Sequence, residues 1–139
     1  MGLDIIGEEE RDVAMRAMAG LTGGCYRGDF CGAIAGATQV IGCLFAAANK
    51  DEMEDARLSP TVRKLYDRLK EIAVKKYGDT SCQTISQCDW YDPEDVKARR
   101  IDGRRDECTR FVGETARILG EVIWETVGEE ELKILQGEG

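Results

Sequence analysis

The chain has 139 residues, 42% of them hydrophobic, enough for one domain around a single apolar core and too few for a second full one. Its 27 acidic against 19 basic side chains give a formal net charge of −8, which repels phosphate backbones and anionic lipid, so nucleic acid is not expected as a partner. Histidine is absent, which excludes His-based proton relays, Ser/His or Cys/His nucleophile pairs, CxxCH haem attachment and imidazole zinc sites.

In chain order, Met1 is followed by acidic residues rather than a basic leader, so a soluble, cytoplasmic protein is expected. Residues 8–21, "EEERDVAMRAMAGL", open with acids suited to a helix N-terminus and gather Val13, Met15, Ala17 and Met18 near one side, which predicts a first helix ending at "TGG". A glycine-rich turn, "GGCYRGDF", follows. A second helix is expected from Cys31 to about Asn49. Its small residues let neighbouring backbones approach, and its apolar residues lie on most sides, so it should be central. The run "VIGCLFAAA" within it is too short to span a bilayer, and no membrane insertion is expected.

"LSPTVRKLYDRLKEIAVKKYG" predicts a third helix with Ser59 as N-cap, Pro60 at the first helical position, Val62, Leu65, Tyr66, Leu69, Ile72 and Ala73 on one face, and Gly78 as C-cap. A short helix starting at Thr80 or Ser81 carries Cys82, and "CDWYDPEDVKARRIDG" reads as a polar connection with at most a helical turn after Pro93. The last long helix is predicted from Arg104 to Val127, with Cys108, Phe111, Val112, Thr115, Ile118, Leu119, Val122 and Ile123 on one stripe. The tail, 128–139, adds an acidic turn. The fold class is all-α, a single-domain bundle of about four to five helices with its core within residues 8–127.

Six cysteines without a secretion signal point to metal or redox use rather than a disulfide framework. Cys31 sits where the glycine turn becomes helix, and Cys82 follows "DTS" at another helix start. Unpaired backbone N–H groups and the positive helix end favour a thiolate at both, so Cys31 is the candidate reactive thiol. Cys25 lies six residues before Cys31 in the same turn, available as disulfide partner or second ligand. Cys108 falls on a buried stripe, Cys43 reads as packing inside an apolar helix, and Cys88 carries no clear signal. No CxxC occurs, which argues against a thioredoxin-type pair and a zinc ribbon. Thiolates scattered over three helices still suit an iron–sulfur centre or a long-range disulfide.

"CGAIAG" at Cys31–Gly36, the preceding "GLTGGCYRG", "YGDTSCQTI" around Cys82 and the cysteine opening the last helix at Cys108 together resemble the redox-active protein family defined by a CGAxxG motif and four spaced cysteines. The likeness covers roughly residues 10–127 and begins near that family's second helix, so three family cysteines map here, onto Cys31, Cys82 and Cys108. The resemblance implies an all-helical redox protein without an assigned reaction. The split-Soret cytochromes c are similar over this region and are credited with an iron–sulfur centre beside their haem; this chain lacks the residues for haem.

The leading expectation is an electron-transfer protein in which Cys31, Cys82 and Cys108, with Cys25 as candidate fourth ligand, hold an iron–sulfur centre, [2Fe–2S] before [4Fe–4S], and serve a redox partner protein. A metal-free thiol/disulfide protein with Cys25 or Cys82 resolving Cys31 is the alternative, and a helical scaffold whose cysteines only pack is a third. The small-residue helix also suits a homodimer interface. "RRIDGRR" (99–105) reads as a solvated basic patch and Trp90 with Tyr91 as an aromatic anchor for the connection. Glu8–Glu10 and Glu129–Glu131 read as helix-start charge, and "GGCYRG" lacks the Lys and strand of a phosphate loop.

Overall fold

The computed structural model describes residues 8–135 and Gly137; the leader reading at residues 1–7 and the last part of the tail reading lie outside it. Among the described residues the fold is all-α. Helix α1 is Glu8–Ala19, α2 Gly32–Phe45, α3 Leu58–Tyr77, α4 Cys82–Ser86, α5 Pro93–Ala98 and α6 Arg104–Leu135. The only extended pairing among these residues is an isolated antiparallel bridge between Phe30 and Ser81.

The core is where α2, α3 and α6 meet pairwise. Each supplies an i, i+3, i+4 row: Ile34, Ala37, Ile41 and Phe45 from α2, Leu65, Leu69 and Ala73 from α3, and Phe111, Ile118, Leu119, Val122 and Ile123 from α6. Helix α2 buries one row only and shares the core equally with α3 and α6, so it is not the central helix with apolar contacts on most sides that the sequence suggests. Phe111 is fully buried and meets Tyr77 edge-on, ring centroids 5.5 Å apart. Val112, which the stripe reading placed with it, is 48% exposed, because one residue further along the helix turns the side chain about 100° away from the core. No helix among the described residues is long and apolar enough to cross a membrane.

Three boundaries differ from the sequence expectation. Helix α2 stops at Phe45 rather than near Asn49, because the acidic loop folds back: the Asp55 N–H donates to the Phe45 carbonyl, and the Glu52 carboxylate accepts from Ala48 N–H and the Asn49 amide. Helix α3 starts at Leu58, with Arg57 rather than Ser59 in the capping position, because the Asp55 carboxylate accepts the Arg57 N–H at 2.8 Å and closes the turn earlier. Pro60 still falls in the first turn, where its missing N–H has no helical partner to lose. Gly78 ends α3 as expected, at φ 108° with its N–H on the Val74 carbonyl. Helix α6 is broken by Gly128 (φ 72°, ψ 177°), after which the tail forms further helix to Leu135 rather than a single turn. Glu131 of that last segment is paired with Arg57, and Leu132 rests against the core.

Lys76 to Glu107, Arg68 to Glu121 and Glu125, and Lys64 to Glu125 join α3 to α6 along the surface. Exposed pairs of this kind contribute little each, about 0–1 kcal/mol, so the apolar row decides stability. Phe111→Ala should therefore lower the unfolding free energy in urea by about 3–5 kcal/mol, while its neighbour Val112→Ala should stay within about 0.5 kcal/mol of the parent. Equal losses at the two positions would contradict this packing.

Candidate functional site

Two chain segments fifty residues apart are stitched together directly in front of two helices. The Cys31 N–H donates to the Thr80 carbonyl at 3.2 Å, and the Cys82 N–H donates to the Asp29 carbonyl at 2.5 Å, on either side of the Phe30–Ser81 bridge. Cys31 occupies the N-cap position of α2, its carbonyl accepting the Ala35 N–H. Cys82 is the first residue of α4, whose cap is Ser81: the serine hydroxyl accepts the Thr84 N–H at 3.1 Å, and Asp79 accepts the Ser81 N–H at 2.7 Å. The same pairing that closes the backbone thus brings the Cys31 and Cys82 segments into one region of the fold.

Cys108 joins them from the first turns of α6. A charge on its sulfur raises the proton affinity of both Cys31 and Cys82, and Cys31 does the same to Cys82, so all three pairs lie within electrostatic reach. Cys31 and Cys82 are buried and Cys108 is half-buried. Cys88 is also buried, and burial chiefly pushes its thiol up; the charges that act on it are those of Asp95, Arg99 and Arg104 rather than the other sulfurs. Cys25 stands exposed on the glycine turn, and so does Cys43 on α2; the packing role read for Cys43 is not what the fold gives it.

The helix-start argument for thiolates is reversed here. Burial pushes the Cys31 thiol up, and the backbone N–H groups of Ile34 and Ala33, which favour the anion, recover only part of that. Cys82 is pushed up to about 11, mainly by burial, with the Ser86 hydroxyl opposing. A five-residue α4 supplies too little aligned backbone to outweigh desolvation. Both thiols are protonated and unreactive at neutral pH when nothing is bound to them.

The glycine turn is built for close approach. Gly23, Gly24, Cys25 and Tyr26 run consecutively in the left-handed region, φ between 57° and 60°. A side chain at Gly23 would collide with the Trp90 ring at 2.4 Å, and one at Gly24 with the Asp29 backbone at 2.4 Å. Glycine at these positions thus meets a packing demand as well as a turn. Trp90 lies across the turn and donates from its indole N–H to Ser86 Oγ at 3.2 Å, and Ser86 in turn donates to the Cys82 carbonyl. The aromatic anchor expected of Trp90 is therefore an anchor on α4 itself.

Sequence reading passed over Arg99, which it placed in a solvated patch. Its guanidinium lies 5.3 Å above the Trp90 ring, its Nε is buried without a hydrogen-bond partner among the described residues, and its positive charge favours the thiolates of Cys82 and Cys88. Nothing in the local pattern "ARRIDG" separates this arginine from its neighbours; only the return of the connection over Trp90 does. Arg104 of the same patch is pinned by Asp95, Asp102 and the Gln87 carbonyl.

The donor set is sulfur-rich and soft, which is the chemistry of an iron–sulfur centre. Among the described residues no three Cys, Asp or Glu side chains lie close enough together to hold a single metal ion as they stand.

Because Cys31, Cys82 and Cys88 hold their protons more tightly folded than unfolded, their contribution to stability is fully present below the ordinary thiol value near 9 and is lost as pH rises toward the folded value, about 11 for Cys82. Urea unfolding at a series of pH values should show stability falling over that window, with a shallower fall in Cys82→Ala. Parallel curves for parent and variant would remove the desolvated thiol from the account.

Neither the curated proteins nor the solved structures hold a match to the chain. A family model does match, over residues 2–122, under the description "Putative redox-active protein (C_GCAxxG_C_C)", and its span takes in the glycine turn and Cys31, Cys82 and Cys108. The chain belongs to that redox-active protein family.

Proposed function

We propose that the redox function of this chain resides in Cys31, Cys82 and Cys108, and that they act as thiolate ligands of an iron–sulfur centre in an electron-transfer protein. The observation that carries this reading is the mutual electrostatic reach of three sulfurs brought from α2, α4 and α6. Bound as a cluster, iron and sulfide would supply a one-electron couple. The protein's part is to hold soft donors in a largely dry pocket, with Arg99 set to offset the negative charge that ligation creates at Cys82.

Proton affinity favours ligation over free-thiol chemistry. A thiol near 11 is ionised in only about one molecule in ten thousand at neutral pH, too few for brisk exchange, whereas metal coordination deprotonates a thiol outright. The fourth ligand is Cys25, exposed on the turn beside Cys31, or Cys88, which shares the Arg99 charge with Cys82. The backbone pairing of the Cys31 and Cys82 segments supports one second reading, a disulfide between two of the three sulfurs without metal.

Anaerobically purified protein should be coloured, contain iron and acid-labile sulfide, and lose both in Cys31→Ser, Cys82→Ser and Cys108→Ser. Comparing iron content in Cys25→Ala and Cys88→Ala identifies the fourth ligand. Colourless, iron-free protein that fails reconstitution with iron and sulfide, and loses two titratable thiols on mild oxidation, would replace the cluster with the disulfide.

A further inference from the structure

Ser86 is a buried polar side chain beside Cys82, 1% exposed at the last position of α4 and one helical turn after the cysteine. Side chains in a helix lean back toward its N-terminus, so a serine four residues on is aimed at Cys82. Its hydroxyl donates to the Cys82 carbonyl at 2.5 Å and accepts the Trp90 indole N–H at 3.2 Å. It also lies within hydrogen-bonding reach of the Cys82 sulfur, where it favours the anion. Burial is the largest influence on that thiol, and Ser86 is the largest one opposing it, ahead of the Arg99 charge.

A hydroxyl has one proton to give and two lone pairs to accept with, whereas an indole N–H only donates. The Trp90 N–H fills one lone pair of Ser86 and polarises its O–H, which is thereby kept as a donor toward Cys82. Trp90 itself is fixed: a Cβ at Gly23 or Gly28 would meet its ring at 2.4 Å and 3.0 Å, and Arg99 covers the ring. The serine proton has two acceptors on Cys82, the carbonyl oxygen and the sulfur. While the sulfur carries its own proton the carbonyl is the better acceptor; once the sulfur is an anion, the charge-assisted bond to it is the stronger. Rotation of the hydroxyl alone carries the proton from one to the other, with α4 unmoved.

We propose that Ser86 is a positioning residue for the Cys82 sulfur: Trp90 holds its hydroxyl as a donor, and that donor swings from the carbonyl to the sulfur when Cys82 gives up its proton to solvent or on ligation. The pairing applies whichever redox element the sulfurs carry. Only its effect on the potential of a cluster rests on the iron–sulfur reading given above.

Two measurements on the full chain separate this role from simple bracing of α4. In reduced, metal-free protein, iodoacetamide labelling resolved by peptide mass gives the rate at Cys82 relative to Cys31, a ratio that cancels changes in general opening. Ser86→Ala should lower that ratio about three- to fivefold at pH 8, since a roughly tenfold loss of anion is partly offset by the greater nucleophilicity of a more basic thiol. Trp90→Phe, which keeps an aromatic ring in the turn and removes the N–H donor, should move the ratio the same way by a smaller factor. In protein loaded with iron and sulfide, both variants should shift the midpoint potential to more negative values in the same order, because a ligand sulfur relieved of a hydrogen bond gives more charge to the iron. An unchanged ratio, or Cys31 and Cys82 labelled faster together, would overturn the role and leave Ser86 as a brace. Protein that takes up no iron would remove the cluster, while the labelling ratio still decides for or against Ser86.

Discussion

Two backbone hydrogen bonds, Cys31 N–H to Thr80 and Cys82 N–H to Asp29, hold the arrangement on which every other feature of the site depends. Helices alone pack by rows of side chains and tolerate sliding by a fraction of a turn; a paired strand segment does not, because its donors and acceptors are fixed in register. Placing that pairing in front of α2 and α4 converts loose helical packing into a defined separation between two sulfurs. The left-handed glycine turn, the Trp90 ring across it and the Ser81 cap all serve the same junction from different sides.

Burial and charge oppose each other at this junction. Helix starts offer N–H groups that stabilise an anion, yet the sulfurs sit deep enough that desolvation wins, and the neighbouring sulfurs add to it. A site of this kind is quiet when its sulfurs are protonated and gains most from a partner that removes those protons. That asymmetry separates the buried Cys31 and Cys82 from exposed thiols such as Cys25 and Cys43.

The helices were legible because their apolar rows recur at helical spacing, and their ends where Gly78 or Ser81 marks a stop or start. The start of α3 was not, because Asp55, several residues outside the periodic pattern, forms the turn that Ser59 was expected to form. The three family cysteines could be named from motif and order, but their proton affinities could not. Local position predicts the helix field, whereas burial depends on what α6 brings over the top. Arg99 and Thr115 escaped for the same reason: one reads as surface charge and the other as part of a buried stripe, and only tertiary packing leaves each with an unmatched polar atom.

The break at Gly128 divides α6 into a segment locked into the core and a last stretch to Leu135. That stretch is fastened by the Arg57–Glu131 ion pair and by the contact of Leu132 with the core. An exposed ion pair is screened by salt and a single partly covered leucine is a small anchor, so this end of the molecule is expected to open at a free energy below global unfolding. Backbone amides beyond the glycine should then exchange with solvent sooner than those around Phe111, by a margin that ionic strength tunes.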